Sequence, residues 1–251
     1  PLTDEEVERL LAQKWLPITA STETDSGSSY ASRSGEDLSD QTISSLLAEI
    51  EALVASGEIG SYELYQARRK FARFIKRYPG SLSELRMQLL SGSYDDVTVG
   101  TAIGAVGSSR AEGAIEWLTG LALEATAGTN LRISTLVSLS QIQEPTPALL
   151  LALSAMAQDP GLDPTLGSSA LLVLGAMARY DETDVALKQL LELEELSIER
   201  GVRAWLEALA NAQTPATGEA ALPYLTHESA AVRAAAIDAT LGMGPEAALT
   251  Y

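Results

Sequence analysis

Residues 232–243 read VRAAAIDATLGM, a helix-like apolar run that closes on a large apolar residue followed by a small one. Four earlier runs close in the same way, which gives five large–small pairs: Val106-Gly107, Leu139-Ser140, Leu174-Gly175, Leu209-Ala210 and Leu241-Gly242. Successive pairs are 33, 35, 35 and 32 residues apart. A period of this length is typical of arrays built from pairs of short helices. The sequence therefore predicts an all-α fold in which antiparallel helix pairs stack as a right-handed superhelix.

The composition of the chain changes along its length and predicts four regions. Residues 1–17 contain a short helical segment, and residues 18–40 form a flexible linker rich in Ser, Thr, Gly and acidic residues. Residues 41–94 supply lead-in helices that cap the array. Residues 95–251 hold the repeats, and we expect the array to continue beyond them, because a helix predicted to begin at Pro245 is cut off.

Apolar periodicity and turn residues predict the individual helices of the repeats. The predicted pairs are 95–106 with 110–126, 131–141 with 145–158, 167–178 with 182–193, and 198–211 with 215–225, followed by a first helix at 230–241. Pro145 and Pro215 are predicted at or near the first helical position, and Ser229 is predicted to cap the last helix. Arg203 and Arg233 are predicted to cap helices or to bridge adjacent repeats.

The residues Val232-Arg233, the alanines after them and Leu241-Gly242 resemble the HEAT type of helical repeat, with Leu209-Ala210-Asn211-Ala212 as a second instance. This resemblance implies a HEAT/armadillo-like α-solenoid over residues 95–251. The order of the runs 102–118, 136–151, 171–180, 206–225 and 232–243 also resembles the helical domain of vitellogenin-type large lipid transfer proteins. That second resemblance implies an array that embraces a partner, with lipid nearby.

The charge of the chain bounds its partners. The formal net charge is −17, and residues 95–251 hold seven basic against 20 acidic residues. Such a field repels nucleic acid, so the sequence predicts no nucleic-acid binding. The longest apolar stretch, 148–157, is about half of the roughly 20 residues that a membrane-spanning helix needs. The sequence predicts no transmembrane segment and leaves the compartment open.

The residue types that catalysis and metal binding need are scarce. The chain has no cysteine and one histidine, His227, which lies in a predicted turn. A thiolate nucleophile is thereby excluded, and a zinc site would depend almost entirely on carboxylates. Gly100, Gly104 and Gly107 lack the spacing of a nucleotide-binding loop, so helix packing is the expected reason for them. The sequence predicts no catalytic residue, no metal site and no cofactor.

Two features point to a binding surface instead. Residues 68–77 contain six basic residues, and at 100° per residue Phe71, Phe74, Ile75 and Tyr78 form one stripe with Arg69, Arg73 and Lys76 on the other side. A basic amphipathic helix can dock on a phospholipid surface or an acidic partner, or it can simply be solvated. Residues 148–153 are apolar on every side, and residues 115–123 nearly so, which predicts a cover supplied by a partner, a lipid or the rest of the polypeptide.

These observations favour a non-enzymatic scaffold that binds a protein partner, or the remainder of its own longer chain, through an inner face formed by the second helix of each pair. Trp117, Leu150 and Leu151 are the candidate apolar contacts, and Arg69, Arg73 and Lys76 are the candidate electrostatic rim. The alternative is the helical arm of a vitellogenin-like lipid carrier. An enzymatic alternative, the HEAT-like repeats associated with bilin lyases, depends on the shared repeat alone.

Overall fold

The computed structural model describes residues 38–57, 61–142, 144–181, 183–193 and 202–243. Within these ranges the secondary structure is helical and contains no strand, as the sequence predicts. The predicted N-terminal segment, nearly all of the predicted linker and the helix predicted from Pro245 lie outside the described residues. The α-helices are α1 (Ile43–Ala55), α2 (Tyr62–Arg77), α3 (Leu82–Leu90), α4 (Asp96–Ser109), α5 (Ala114–Ala122), α6 (Thr129–Leu139), α7 (Pro147–Gln158), α8 (Pro164–Ala178), α9 (Val185–Glu192), α10 (Val202–Ala212), α11 (Pro215–Ala221) and α12 (Ala230–Thr240). Short 3₁₀ segments occupy Pro79–Ser81, Leu222–Thr226 and Leu241–Met243.

Helix starts are fixed by hydroxyl and carboxylate caps that are followed in three cases by proline. Thr146 Oγ1 accepts a hydrogen bond from the N–H of Leu149, so α7 begins at Pro147. The start predicted from the sequence, Pro145, is two residues too early. Thr214 and Thr217 form a reciprocal capping box that starts α11 at Pro215, as predicted. The carboxylate of Asp163 accepts from the N–H of Thr165 and starts α8 at Pro164, three residues before the predicted position. In each case the side chain satisfies a backbone donor that the first turn leaves unpaired.

The prediction that the Ser229 side chain caps α12 is wrong, although α12 does begin at the next residue. The Ser229 hydroxyl makes no capping hydrogen bond, and the N–H of Ser229 donates to Nδ1 of His227 instead. Arg233 caps this turn, because its guanidinium donates to the carbonyl oxygens of His227 and Glu228. Arg203 pairs with Glu207 of its own helix, so this pair does not bridge two repeats.

The turn between α4 and α5 shortens the second helix of the first predicted pair. Arg110 ends α4 in the left-handed region, with φ of 50°, and Gly113 follows with φ of 75°. Since two left-handed positions interrupt the chain here, α5 begins at Ala114 instead of residue 110. It also ends at Ala122, four residues before the predicted end.

Two kinds of contact dominate the helix packing: each first helix packs on the next first helix, and the second helices α5, α7 and α9 pack on adjacent first helices. The first helices of the pairs, α2, α4, α6, α8, α10 and α12, each contact the next first helix. The second helices α3, α5, α7 and α9 contact one another in the same order, with fewer contacts. The predicted lead-in helix α2 thus packs on α4 as α4 packs on α6. The coiling of these layers into a right-handed superhelix stays a prediction.

The glycines of two large–small pairs lie at close contacts between first helices. A Cβ built at Gly175 would collide with the carbonyl group of Ala208 in α10, and one built at Gly107 would collide with the Ser138 side chain in α6. The large residues Val106, Leu139, Leu174 and Leu209 are fully buried beside these contacts. The fifth pair differs, because Leu241 lies in a 3₁₀ turn and is 53% exposed.

Hydrogen bonds between helices occur at the spacing of the repeat. The Ser138 hydroxyl donates to the carbonyl oxygen of Ile103, which is 35 residues away, and the Asn130 amide donates to Asp96 at a separation of 34 residues. In the second helices the Ser154 hydroxyl donates to Gln189, again 35 residues away. The period found in the apolar pattern is therefore also the period of the polar contacts.

Candidate partner-binding surfaces

Each of four successive second helices exposes one large apolar side chain at its surface. These residues, which we call the second-helix surface, are Met87 in α3, Leu123 at the end of α5, Leu151 in α7 and Val185 in α9. Leu151 was predicted from the sequence as a contact residue, and it is 63% exposed. The other three were not singled out from the sequence, because each lies in a short run that also contains buried apolar residues.

Leu150 belongs to the core and is not available as a surface contact. Only 2% of this residue is exposed, and Leu149 and Leu153 on the same helix are equally buried. The predicted excess of apolar residues at 148–153 is thus resolved by burial of three leucines. Leu151 and the small Ala148 remain exposed on α7.

Trp117 joins two second helices and is only half-buried. Its indole N–H donates to the carbonyl oxygen of Leu82, the first residue of α3, at 2.7 Å. Since Leu82 is 35 residues earlier, this bond ties α5 to the preceding pair. A partner that contacts Trp117 would meet the part of its ring that this tie leaves exposed.

The basic helix predicted from the sequence is α2, and its two sides are separated as predicted. Phe71, Phe74 and Ile75 are buried, whereas Arg69, Arg73 and Lys76 are exposed. Within α2, the Arg69 guanidinium carbon lies 5.7 Å from the centre of the Tyr65 ring, a cation–π contact.

The exposed cations of α2 border a groove of about 420 Å³ that reaches the C-terminal end of α4. We call it the basic groove. Its residues are Tyr65, Arg68, Arg69, Ala72, Arg73, Lys76, Ser108, Ser109 and Arg110. Five of these nine residues are cationic and none is acidic. Sequence reasoning missed Arg110, because nothing in the sequence signals that a non-glycine residue adopts the left-handed conformation there.

Arg68 forms the floor of the basic groove and fixes α2 against α4. It donates from Nη2 to the carbonyl oxygen of Gly104 at 3.0 Å. A Cβ at Gly104 would lie 2.9 Å from the Arg68 guanidinium carbon, so the glycine makes room for this side chain. Helix packing is therefore the role of Gly104, as of Gly107, in agreement with the sequence prediction.

The structure does not bring the predicted apolar contacts and the predicted basic rim together. Arg69, Arg73 and Lys76 lie on α2, which packs with the first helices, and their groove is completed by α4. Trp117 and Leu151 lie on α5 and α7, which are second helices. The single composite site expected from the sequence is thus two separate surfaces.

A third surface, which the sequence analysis did not predict, is an apolar groove of about 330 Å³ across α6, α8 and α10. Leu136, Val137, Leu172, Val173 and Ala176 supply its apolar wall, and Arg179, Tyr180 and Asn211 contribute polar groups. The signal that could have located it is the absence of charge from α8, since residues 164–178 contain no Asp, Glu, Lys or Arg.

Among the described residues, three carboxylates have shifted pKa values, and each shift has a local structural cause. Burial raises the pKa of Asp95, but hydrogen bonds from the Thr98 hydroxyl and from the N–H groups of Thr98 and Val97 outweigh it and lower the pKa. Asp181 behaves alike, since burial is outweighed by hydrogen bonds from Ala186 and Thr183, which lower its pKa. A hydrogen bond from Arg86 lowers the pKa of Glu124. These carboxylates hold helix ends and helix pairs, so their shifts indicate structural roles.

Possible metal ligands do not cluster in the described residues. His227 accepts a backbone hydrogen bond in its turn, and no set of three His, Asp or Glu side chains comes together in the described ranges. Among the same residues no helix has both the length and the apolar character needed to cross a bilayer. No protein-family model matches the chain, and no curated protein does.

Proposed function

We propose that this chain is a non-enzymatic HEAT-type solenoid, a right-handed superhelix of helix pairs that acts as a scaffold for a protein partner. The packing of each first helix, from α2 to α12, on the next first helix supports the repeat. Hydrogen bonds between residues 34 and 35 apart support its period. Repeat arrays of this architecture offer extended surfaces for other proteins to bind.

The second-helix surface is the proposed contact, and the observation that carries it is its regular exposure of apolar side chains. Met87 and Leu151 are among the most exposed large apolar residues of the described chain. Covering a leucine of this kind removes apolar area from water and contributes about 1.5–3 kcal/mol. Since α3, α5, α7 and α9 contact one another in order, one extended partner can reach several of these residues.

Site-specific photo-crosslinking at Leu151 tests this proposal, with Ile237 as the matched control position. Ile237 is 54% exposed but lies on α12, a first helix. We expect the probe at position 151 to capture one defined protein and the probe at position 237 to capture none. The captured protein is then purified and its affinity is measured with Leu151→Asp and with Ile237→Asp.

The expected result is a loss of affinity of about tenfold or more for Leu151→Asp, with no change for Ile237→Asp. Circular dichroism of both variants checks that the helices are retained. Equal affinities for the two variants would contradict the second-helix surface as the contact.

The apolar groove supports the alternative function, the helical arm of a lipid carrier. Its wall is apolar and Arg179 supplies one cation at its edge, which is the combination that an amphipathic anion with an acyl chain requires. Native mass spectrometry of the chain purified from cells separates the two functions. A lipid carrier retains co-purified lipid, and that lipid is lost when Leu172→Asp fills the groove with charge, whereas a protein scaffold carries no lipid in either form.

A further inference from the structure

We infer that the basic groove binds an acidic segment of a partner protein. This site lies between the first helices α2 and α4, so it is separate from the second-helix surface. The inference therefore does not depend on the proposed function. The charge of the groove contrasts with that of the chain as a whole. In a chain of net charge −17, the described residues around this groove are five cations and four uncharged residues.

Four cations of the groove, Arg68, Arg69, Lys76 and Arg110, form no ion pair with a described residue. Arg68 donates a hydrogen bond to a carbonyl oxygen, and Arg69 lies over the Tyr65 ring. Both partners are uncharged, so neither contact cancels a positive charge. Neither Lys76 nor Arg110 forms an ion pair with any residue of the described ranges. The neighbouring Lys70 shows the other behaviour, because it pairs with Glu49 at 2.8 Å and does not border the groove.

The geometry of the cations suits the carboxylates of a peptide. Arg69, Arg73 and Lys76 follow one another along α2 at intervals of four and three residues, which corresponds to about 6 Å and 4.5 Å along the helix. Carboxylates on alternate residues of an extended peptide are about 6.6 Å apart. Arginine adds a planar fork of donors that can hold one carboxylate with two hydrogen bonds.

A short acidic segment fits this groove better than a membrane or a nucleic acid does. At physiological ionic strength, charges farther away than about 8 Å are largely screened. A segment that occupies only the groove therefore experiences mainly the cations that border it. A membrane or a long polyanion extends beyond the groove and approaches the acidic surface of the remaining helices, where like charges repel it.

Fluorescence anisotropy with a labelled peptide of alternating Glu and Ser, about ten residues long, tests the inference on the full chain. A peptide in which Gln replaces every Glu is the ligand control. The test variant is Arg69→Glu/Lys76→Glu, and the control variant is Lys188→Glu/Arg203→Glu. The two variants change the net charge equally and alter exposed residues, but only the first alters the groove.

We expect the acidic peptide to bind, the Gln peptide not to bind, and the affinity to fall as salt is raised from about 0.05 M to about 0.5 M. The groove variant should lose roughly tenfold in affinity and the control variant less than about twofold, since each surface charge contributes modestly. Arg69→Gln/Lys76→Gln, which introduces no new charge, should lose an intermediate amount and shows that the effect is not due to misfolding.

Three results would overturn the inference. One is the absence of peptide binding at low salt. Another is an equal loss of affinity in the groove and control variants, which would indicate a nonspecific response to net charge. The third comes from vesicles of phosphatidylcholine with phosphatidylserine: if the chain binds them through Arg69 and Lys76 and does not bind the peptide, the groove recognises a membrane surface.

Discussion

The two ends of the described array join neighbouring helices by different means. Around α1 to α5, long charged side chains cross between helices: Lys70 pairs with Glu49, Arg68 reaches the carbonyl oxygen of Gly104, and Arg86 pairs with Glu124 at 2.7 Å. From α8 to α12, small residues allow backbones to touch, as Gly175 does against Ala208. The ion pairs Lys188–Glu192 and Arg203–Glu207 of this region each lie within one helix.

This difference shows that one repeat geometry can be reached by side-chain ties or by close backbone packing. Close backbone packing buries the residues at the contact, whereas ion pairs and hydrogen bonds of long side chains place cations near the surface between helices. The basic groove lies in the region joined by ties. The predictions that follow compare matched residues from the two regions.

The largest expected effect comes from the two described tryptophans, which make the same hydrogen bond in different surroundings. Trp205 is fully buried and donates to the carbonyl oxygen of Leu190, whereas Trp117 is half-buried and donates to Leu82. We expect Trp205→Ala to lower the free energy of unfolding by about 3–5 kcal/mol and Trp117→Ala by about half as much. Urea denaturation of both variants measures this, and equal losses would mean that the two regions are packed alike.

The next largest effect is the change in stability when glycine is replaced by alanine at each of the two kinds of helix contact. Gly175→Ala would place a methyl group against the Ala208 backbone, which cannot move aside, so we expect a loss of about 1–3 kcal/mol. Gly104→Ala meets the flexible end of Arg68 and gains up to about 1 kcal/mol in helix propensity, so little net change is expected. Thermal denaturation compares the two, and a Gly104→Ala variant as unstable as Gly175→Ala would contradict the assignment of a side-chain tie at Gly104.

A smaller effect concerns two carboxylates that act alike in both regions. Asp95 holds the start of α4 and Asp181 the turn before α9, and both have lowered pKa values. A carboxylate whose pKa is lowered by folding contributes stability above its unfolded pKa of about 3.9, and this contribution is lost as the pH falls through the folded pKa. We expect Asp95→Asn and Asp181→Asn each to cost about 0.3–1 kcal/mol at neutral pH, because Asn keeps an acceptor oxygen but loses the negative charge near a helix N-terminus.

Denaturation of these two variants across the acid range supplies the control. Because Asn does not titrate, the stability gap between each variant and the parent protein should close as the pH falls through the folded pKa. A gap that stays constant with pH would show that the carboxylate charge is not what stabilises the helix start.

The smallest effect is the contribution of the tie between Arg86 and Glu124. Both side chains are about 30% exposed, so the pair should contribute at most about 1 kcal/mol and should weaken with salt. A double-mutant cycle with Arg86→Gln and Glu124→Gln measures it, and the same cycle on Arg203 and Glu207 is the within-helix comparison. A coupling energy between Arg86 and Glu124 that is insensitive to salt would argue against a solvent-screened tie.

The helix pairs could be predicted from the sequence because their signals are local. The large–small pairs, Pro215 with its capping threonine, and the stripe of Phe71, Phe74 and Ile75 all predict elements that the structure contains. The burial of Leu150 could not be predicted, since a helix that is apolar on every side does not indicate which face meets its neighbours. The separation of the basic residues from Leu151 could not be predicted either, because it depends on which helices pack together.

The period itself is tested most directly by a disulfide between equivalent helices, which the absence of native cysteine makes unambiguous. A Cβ at Gly107 would lie 3.5 Å from the Cβ of Ser138, within the range of disulfide geometry. Gly107→Cys with Ser138→Cys should therefore cross-link on mild oxidation and raise the melting temperature, while Gly107→Cys with Ser140→Cys should stay reduced. Failure of the first pair to cross-link, or efficient cross-linking of the second, would contradict the direct packing of α4 on α6.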